Sequence, residues 1–295
     1  MFRRAGIVAA VTLLVASLAA CSALGIVNGL TPTDTYIASV DIGYAADPRQ
    51  KLDVYRPRLP ADKPAPRDGY PIVVFFYGGS WTGGARSDYR FIGEALASNG
   101  ILAIVADYRL YPQVRYPDFL ADCAHAVGWV QREAPRYGGD PRRLYVMGHS
   151  AGAYNAAMLA LDPRWLGPAS PGPPVLAGWI GLAGPYDFLP MTNEAAQPVF
   201  NHPDYPAGSQ PIDYVTGAAP RTFLGAAAGD PIVDPERNTL QLAAKLRAAG
   251  VPVTLRIYDR ASHFTLIGAF ALPLRTLDPV LADVVAFVRG DGIAP

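Results

Sequence analysis

From Tyr36 onward the chain alternates short apolar runs with longer segments whose apolar residues recur every three or four positions. Ala38–Tyr44 and Lys51–Tyr55 read as an antiparallel opening hairpin. Pro71–Phe76, Ile101–Ala106, Leu144–Met147, Val175–Leu182, Thr222–Ala227 and Val253–Tyr258 read as further strands. The first four of these are nearly continuous apolar runs, as expected of parallel strands covered on both faces. The helical period predicts helices at about 87–99, 117–134, 151–161, 235–249 and 278–289, with Asp140-Pro141 and Ala249-Gly250 as turn and stop signals. Strand–helix alternation of this length implies one α/β domain over 36–295, a mostly parallel, doubly wound sheet of about eight strands with helices on both faces. Asp187–Thr216 breaks the rhythm. Rich in Pro and polar residues, it reads as a small cap-like insertion, 187–216, over the carboxyl edge of the sheet, where ligands bind in such folds.

The first residues have a different pattern. Arg3 and Arg4 precede an apolar run from Ala5 to Ala20, too short for a comfortable membrane span, which reads as an export signal over 1–20. Its end, Leu18-Ala19-Ala20-Cys21, resembles the lipobox of bacterial lipoproteins, in which the cysteine is lipidated and begins the mature chain; a plain secretory signal is the alternative. The expectation is an exported lipoprotein held to a membrane through Cys21, facing the periplasm or cell exterior, with 21–35 as a tether. Cys123 then has no partner, so no disulfide framework and no thiol metal site can form, and it reads as a small core residue. Lys+Arg and Asp+Glu both number 25, and no basic run is interleaved with aromatics, which argues against a nucleic-acid partner.

The chemistry concentrates at Gly148-His149-Ser150-Ala151-Gly152. An apolar strand leads into this Gly-x-Ser-x-Gly run and a good helix leads out, the context of a nucleophile elbow. Such a turn strains the serine backbone, leaves no room for side chains two residues either side, and sets the hydroxyl at a helix N-terminus. A serine needs a base, and the chain has four His. His149 is inside the turn, His125 precedes the serine on a helix, and His202 falls in the insertion before any acid-bearing strand. His263, in a loop just after the last strand, fits the order serine, acid, histidine. Asp230 is the first carboxylate past Thr222–Ala227 and is favoured as the acid that orients the imidazole. Asp234 competes, although its place before a helix also suits an N-cap. Gly78, Gly79 and Ser80, in the turn after the third strand, and the amide of Ala151 are candidates for holding an oxyanion. No metal and no cofactor is required.

Together these residues resemble the α/β-hydrolase superfamily, and within it the esterases related to hormone-sensitive lipase, isoprenylcysteine methylesterase and kynurenine formamidase. The resemblance runs from about Lys51 to the C-terminus and includes Asp107-Tyr108-Arg109-Leu110 with Pro112, Tyr116-Pro117, Asp122, Tyr137-Gly138-Gly139-Asp140-Pro141 and Gly184-Pro185-Tyr186-Asp187. It implies scaffold roles, not catalysis, for Asp107, Asp122 and Asp187. Two departures stand out: Tyr77 occupies the place of the usual oxyanion-loop His, and Gly78-Gly79-Ser80-Trp81 replaces three glycines. Backbone donors survive both changes, and Ser80 with Trp81 narrows the expected acyl pocket toward short chains. The implied function is hydrolysis of small carboxylic esters through an acyl-enzyme. The alternatives are an amidase or peptidase of the same fold and, in another class, a non-catalytic binding lipoprotein. Oligomeric state is not legible.

Overall fold

The computed structural model describes residues 24–60, 64–167 and 176–290. The export signal expected over 1–20 and the lipidation candidate Cys21 lie outside the described residues.

The apolar runs of β3 (Tyr70–Phe76) and β4 (Leu102–Ala106) are buried at every position, which only a strand covered on both faces can satisfy. They lie in the middle of an eight-stranded sheet of order β1-β2-β4-β3-β5-β6-β7-β8. The opening strands β1 (Tyr36–Gly43) and β2 (Lys51–Pro57) pair antiparallel, as does β2 with β4. From β4 to β8 every pairing is parallel. The remaining strands are β5 (Gly139–His149), β6 (Gly178–Leu182), β7 (Thr222–Ala227) and β8 (Val253–Tyr258). Because the chain winds outward from β3 in one direction to β4 and in the other to β5, the adjacent carboxyl ends of β3 and β5 form the switch point of the sheet.

Helix α2 (Arg90–Ala97) is followed by a turn whose Asn99 carbonyl accepts from the guanidinium of Arg289, at the end of helix α8 (Val280–Arg289), at 2.8 Å. The helices α3 (Asp118–Glu133), α4 (Ala151–Leu161) and α5 (Pro163–Leu166) pack on one another. A further helix, α6 (Gln241–Ala248), covers β8. The expected α/β architecture is therefore present, with element ends shifted for local reasons. The helix expected from 87 opens as a 3₁₀ turn, Arg86–Tyr89, because the Arg86 amide is held by Asp107 Oδ1 at 2.7 Å. The helix expected from 235 opens as a wide π turn, Glu236–Leu240, where the Asn238 side chain turns away to accept from the Tyr186 and Asp187 amides at 2.7 and 3.0 Å.

Two expectations are corrected. The tether read over 21–35 is not free chain throughout, because residues 24–29 form a helix, α1. Leu24 and Val27, three positions apart, pack on the core, and the Asn28 side chain donates to the Ser87 carbonyl at 2.8 Å. The loop expected around His263 is instead the first turn of a helix, α7 (His263–Gly268). Ser262 caps it, accepting from the Thr265 amide while Thr265 Oγ1 accepts from the Ser262 amide at 2.7 Å.

Asp122, on α3, ties the framework together. It is fully buried and accepts from the Arg109 amide, Arg109 Nε and NH2, and Gln50 Nε2, all within 2.9 Å. Asp122→Ala leaves Arg109 and Gln50 without an acceptor, and about 3 kcal/mol of stability should be lost. For a domain of this size that lowers Tm by at least about 6 °C in calorimetry, and an unchanged Tm would contradict the bracing role.

Candidate active site

The turn from β5 into α4 is set by contacts that exclude side chains. A methyl on Gly148 would overlap the Gly152 carbonyl, and one on Gly152 would overlap the Phe76 carbonyl at the end of β3. Between them Ser150 adopts φ 54°, ψ −123°, a region that costs a non-glycine residue on the order of 1–3 kcal/mol. Its amide donates to the Leu182 carbonyl at 2.9 Å, so β6 holds the strained residue in place. Ser150 is half-buried and precedes the first turn of α4.

Ser150 Oγ lies 3.0 Å from His263 Nε2, and His263 Nδ1 lies 2.7 Å from Asp230 Oδ2. The side chains of His263 and Asp230 are both almost fully withdrawn from water. Asp230 Oδ1 accepts from the Ile232 and Val233 amides at 2.9 and 3.1 Å. Burial raises the Asp230 pKa, but the hydrogen bond and charge of His263 together with the two amides outweigh it, and the carboxyl lies below its ordinary value. Asp234, the competing acid, faces the other way, accepting from the Glu236 and Arg237 amides as a helix cap. His125 is exposed on α3, and exposed His202 pairs with Tyr205.

The turn after β3 lies against the elbow because Phe76 is in register with Gly148. A methyl on Gly78 would stand 2.9 Å from Ser150 Cβ, while Gly79, Ser80 and Trp81 take φ of 123°, 52° and 58°. Among the described residues the amides of Gly79, Ser80 and Ala151 meet no acceptor. Ser80 and Ala151 line a cavity of about 90 Å³ that opens on Ser150. Trp81, Phe188, Met191, Ala196, Ile232 and Val233 supply its apolar lining, and Asn193 donates to Ser80 Oγ at its rim. Phe188, Met191, Asn193 and Ala196 belong to the 187–216 segment, which holds no strand and lies over the carboxyl edge of β5 and β6.

The family model BD-FAE matches residues 52–246. The chain belongs to the BD-FAE family. This BD-FAE chain is 31% identical to carboxylesterase NlhH of Mycobacterium tuberculosis, over 71% of each sequence. It is 38% identical to isoprenylcysteine alpha-carbonyl methylesterase ICME of Arabidopsis thaliana over 41% of its own length and 27% of that relative. Across the isoprenylcysteine methylesterase relatives it spans 25% to 56% of their lengths. Among solved structures, a truncated carbohydrate esterase from gut microbiota aligns with a TM-score of 0.73 at 20% identity, covering 88% of this chain and 98% of that one. Butyrate-bound esterase 2 of Thermogutta terrifontis aligns with a TM-score of 0.68 at 23% identity, covering 88% and 95%. The fold is that of the α/β-hydrolases.

Several residues whose contacts sequence reasoning did not assign support the BD-FAE site. Tyr77, in the place usually taken by His, is buried between the rings of Tyr89 and Tyr108 at 5.5 and 4.9 Å. Its hydroxyl donates to Asp107 Oδ1 at 2.8 Å and accepts from Arg49 at 2.9 Å. Burial first, and then the charge of Asp107, raises its pKa well above the ordinary tyrosine value. Asp107 is paired with Arg86, which also bonds Asp53 at 2.9 Å and Asp41. The loop is thus moored to the opening hairpin by charge. Trp81 Nε1 donates to Asn155 Oδ1 of α4 at 3.0 Å, inside a cluster with Phe119, Tyr154, Phe188 and Phe200. His149 is buried beside the triad-like array, with its Nε2 2.9 Å from the His263 carbonyl.

Burial and then the neighbouring His263 push the His149 pKa down to about 3. An unfolded histidine binds a proton below about pH 6.5, whereas the folded one does not until about pH 3. The lowered folded value means this stability is fully present above about pH 6.5 and is lost as pH falls toward 3. Urea unfolding of the wild type from pH 6 to pH 4 should therefore lose about 1.4 kcal/mol per pH unit more than His149→Gln. Parallel curves for the two proteins would exclude a buried neutral imidazole.

Proposed function

We propose that the chain is a serine hydrolase of small carboxylic esters, with Ser150 as nucleophile, His263 as general base and Asp230 as its orienting acid. The observation that carries this reading is the unbroken series of contacts from Ser150 Oγ through the His263 ring to the Asp230 carboxylate, each at hydrogen-bond distance. Ser150 Oγ attacks the ester carbonyl carbon as its proton passes to His263 Nε2, and the imidazolium so formed is stabilised by Asp230. The amides of Gly79 or Ser80 and of Ala151 receive the oxyanion, each worth on the order of 3 kcal/mol in the transition state. Collapse breaks the bond to the alcohol oxygen, which takes the proton from His263. Water, deprotonated by the same imidazole, then releases the acid and restores Ser150.

The esterase names of the relatives support the bond class, and the small cavity closed by Trp81, Phe188 and Met191 favours short acyl chains. Purified protein should cleave p-nitrophenyl acetate and butyrate faster than the decanoate, and matched esters faster than anilides. Faster anilide cleavage would reassign it as an amidase. Ser150→Ala should lose about 10⁶-fold in kcat, and Asp230→Asn about 10⁴-fold. Asp234→Asn should keep nearly all activity, so equal losses at the two aspartates would undo the assignment of the acid.

The reading extends to the N-terminus, where Cys21 is proposed as a lipid anchor that holds the domain at a membrane outside the cytoplasm. Between Cys21 and the docked helix at Leu24 stand only Ser22 and Ala23, a reach of roughly 10 Å. In a lipoprotein-processing bacterial host, Cys21→Ser should move the protein from the membrane fraction to the soluble one; wild-type protein found soluble would remove the anchor.

A further inference from the structure

His263 must reach Ser150 from the far side of the sheet. The elbow stands on β5, whereas the segment bearing His263 leaves β8, three strands away and the edge of the sheet. At the usual strand spacing that is roughly 14 Å. β8 is itself only partly buried over Val253–Arg256 and exposed at Ile257, so the strand that launches the base is not clamped by deep packing. Asp230, from the end of β7, fixes the ring through Nδ1. A ring held at one nitrogen can still swing with its backbone, and 1 Å of misplacement is enough to cost about 10²-fold in rate.

His149 meets that backbone from the opposite side. It is the last residue of β5, in register with Leu182 of β6, and is followed directly by Ser150. Its position is therefore set by the same pairing that sets the nucleophile. Its Nε2 lies 2.9 Å from the main-chain carbonyl of His263, and the two rings stand 4.9 Å apart, tilted by 49°. A carbonyl only accepts, so the proton must be on His149 Nε2. Nδ1 is then a bare lone pair, buried without a partner, and faces Gly78, where a methyl would come within 3.3 Å. A second proton there would place an unpaired N–H against the oxyanion loop and a positive charge beside His263. The groups that face the ring are His263, with Asp230 behind it, Ser150 and the backbone of Gly78.

We propose that His149 is a positioning residue, a neutral imidazole that donates from Nε2 to the His263 carbonyl and so locks the base to the strand that carries the nucleophile. The proposal rests on the hydrolase reading of Ser150 for its kinetic consequence but not for its geometry. It explains why an imidazole stands beside the nucleophile without being able to take its proton.

The test uses two substitutions that differ in reach. The amide nitrogen of Gln stands as many bonds from Cβ as Nε2 does, whereas that of Asn stands at the place of Nδ1. In the full chain, His149→Asn should lower kcat for p-nitrophenyl acetate by about 10²-fold with KM little changed, and His149→Gln should recover most of the loss. The proton between His263 Nδ1 and Asp230 gives a second readout that needs no substrate. Its downfield resonance in proton NMR should persist in the wild type and His149→Gln, and should broaden away in His149→Asn. Wild-type rates in both variants would overturn the proposal, as would equal losses in both. If His149→Asn fails to fold, a folded His149→Gln that is as slow as a Ser150 variant overturns it alone. A wild type that neither hydrolyses esters nor reacts with a fluorophosphonate removes the hydrolase reading instead, while the NMR signal still decides the role of His149.

Discussion

Two carbonyls and two glycines impose the geometry around which the molecule is arranged. Gly148 must clear the Gly152 carbonyl, and Gly152 must clear the carbonyl of Phe76 on the neighbouring strand. That clearance lets α4 start directly against β3, and it forces the backbone of Ser150 into a conformation that a serine does not choose. The Ser150 hydroxyl, the free amide of Ala151 and the turn at Gly78–Trp81 meet because β3 and β5 are neighbours at the switch point of the sheet. Had another strand come between them, the same residues would stand too far apart to act on one carbonyl group.

The two halves of the sheet reach this point by different means. On the side of β1 and β2 the mooring is ionic: Arg86 gathers Asp41, Asp53 and Asp107, and Asp107 holds Tyr77 at the root of the Gly78–Trp81 turn. Asp41 is exposed, but Arg86, Asp53 and Asp107 are well hydrogen-bonded and withdrawn from water, and such charges fix direction more than they add stability. On the side of β7 and β8 the mooring is a short series of neutral and charge-assisted hydrogen bonds through Asp230, His263 and His149. The carboxylate is held by backbone amides, so its orientation does not depend on any long side chain.

Much of this was legible in the sequence because it is local. Strand, elbow and helix follow one another within Leu144–Leu161, and their period and glycines declare them. Four histidines, three of them badly placed, leave His263. Asp230 and Asp234 were separable only by degree, since both follow β7; the distinction rests on which carboxylate the β7–α6 turn aims inward, and turn direction is a three-dimensional fact. The helical start at His263 was missed because Ser262 and Thr265 were not read as a reciprocal cap. The docking of α1 hangs on Leu24 and Val27, too few apolar positions to announce a helix. Tyr77 could be seen as a departure from the usual histidine, but its partners Arg49 and Asp107 are 28 and 30 residues away, and no periodicity links them.

Trp81 is both a wall of the cavity and, through its indole N–H, a partner of Asn155 in the helix that begins just after Ser150. A further part of the lining, from Met191 to Ala196, belongs to a segment without strands. The cavity therefore has one side that can be redesigned and one that cannot. Enlarging it at Trp81 would empty a buried acceptor and loosen the packing on which Ser150 stands. Enlarging it at Met191 or Ala196 would alter a covering that carries no part of the elbow. Divergence toward bulkier substrates, by evolution or in the laboratory, has its open route through that covering.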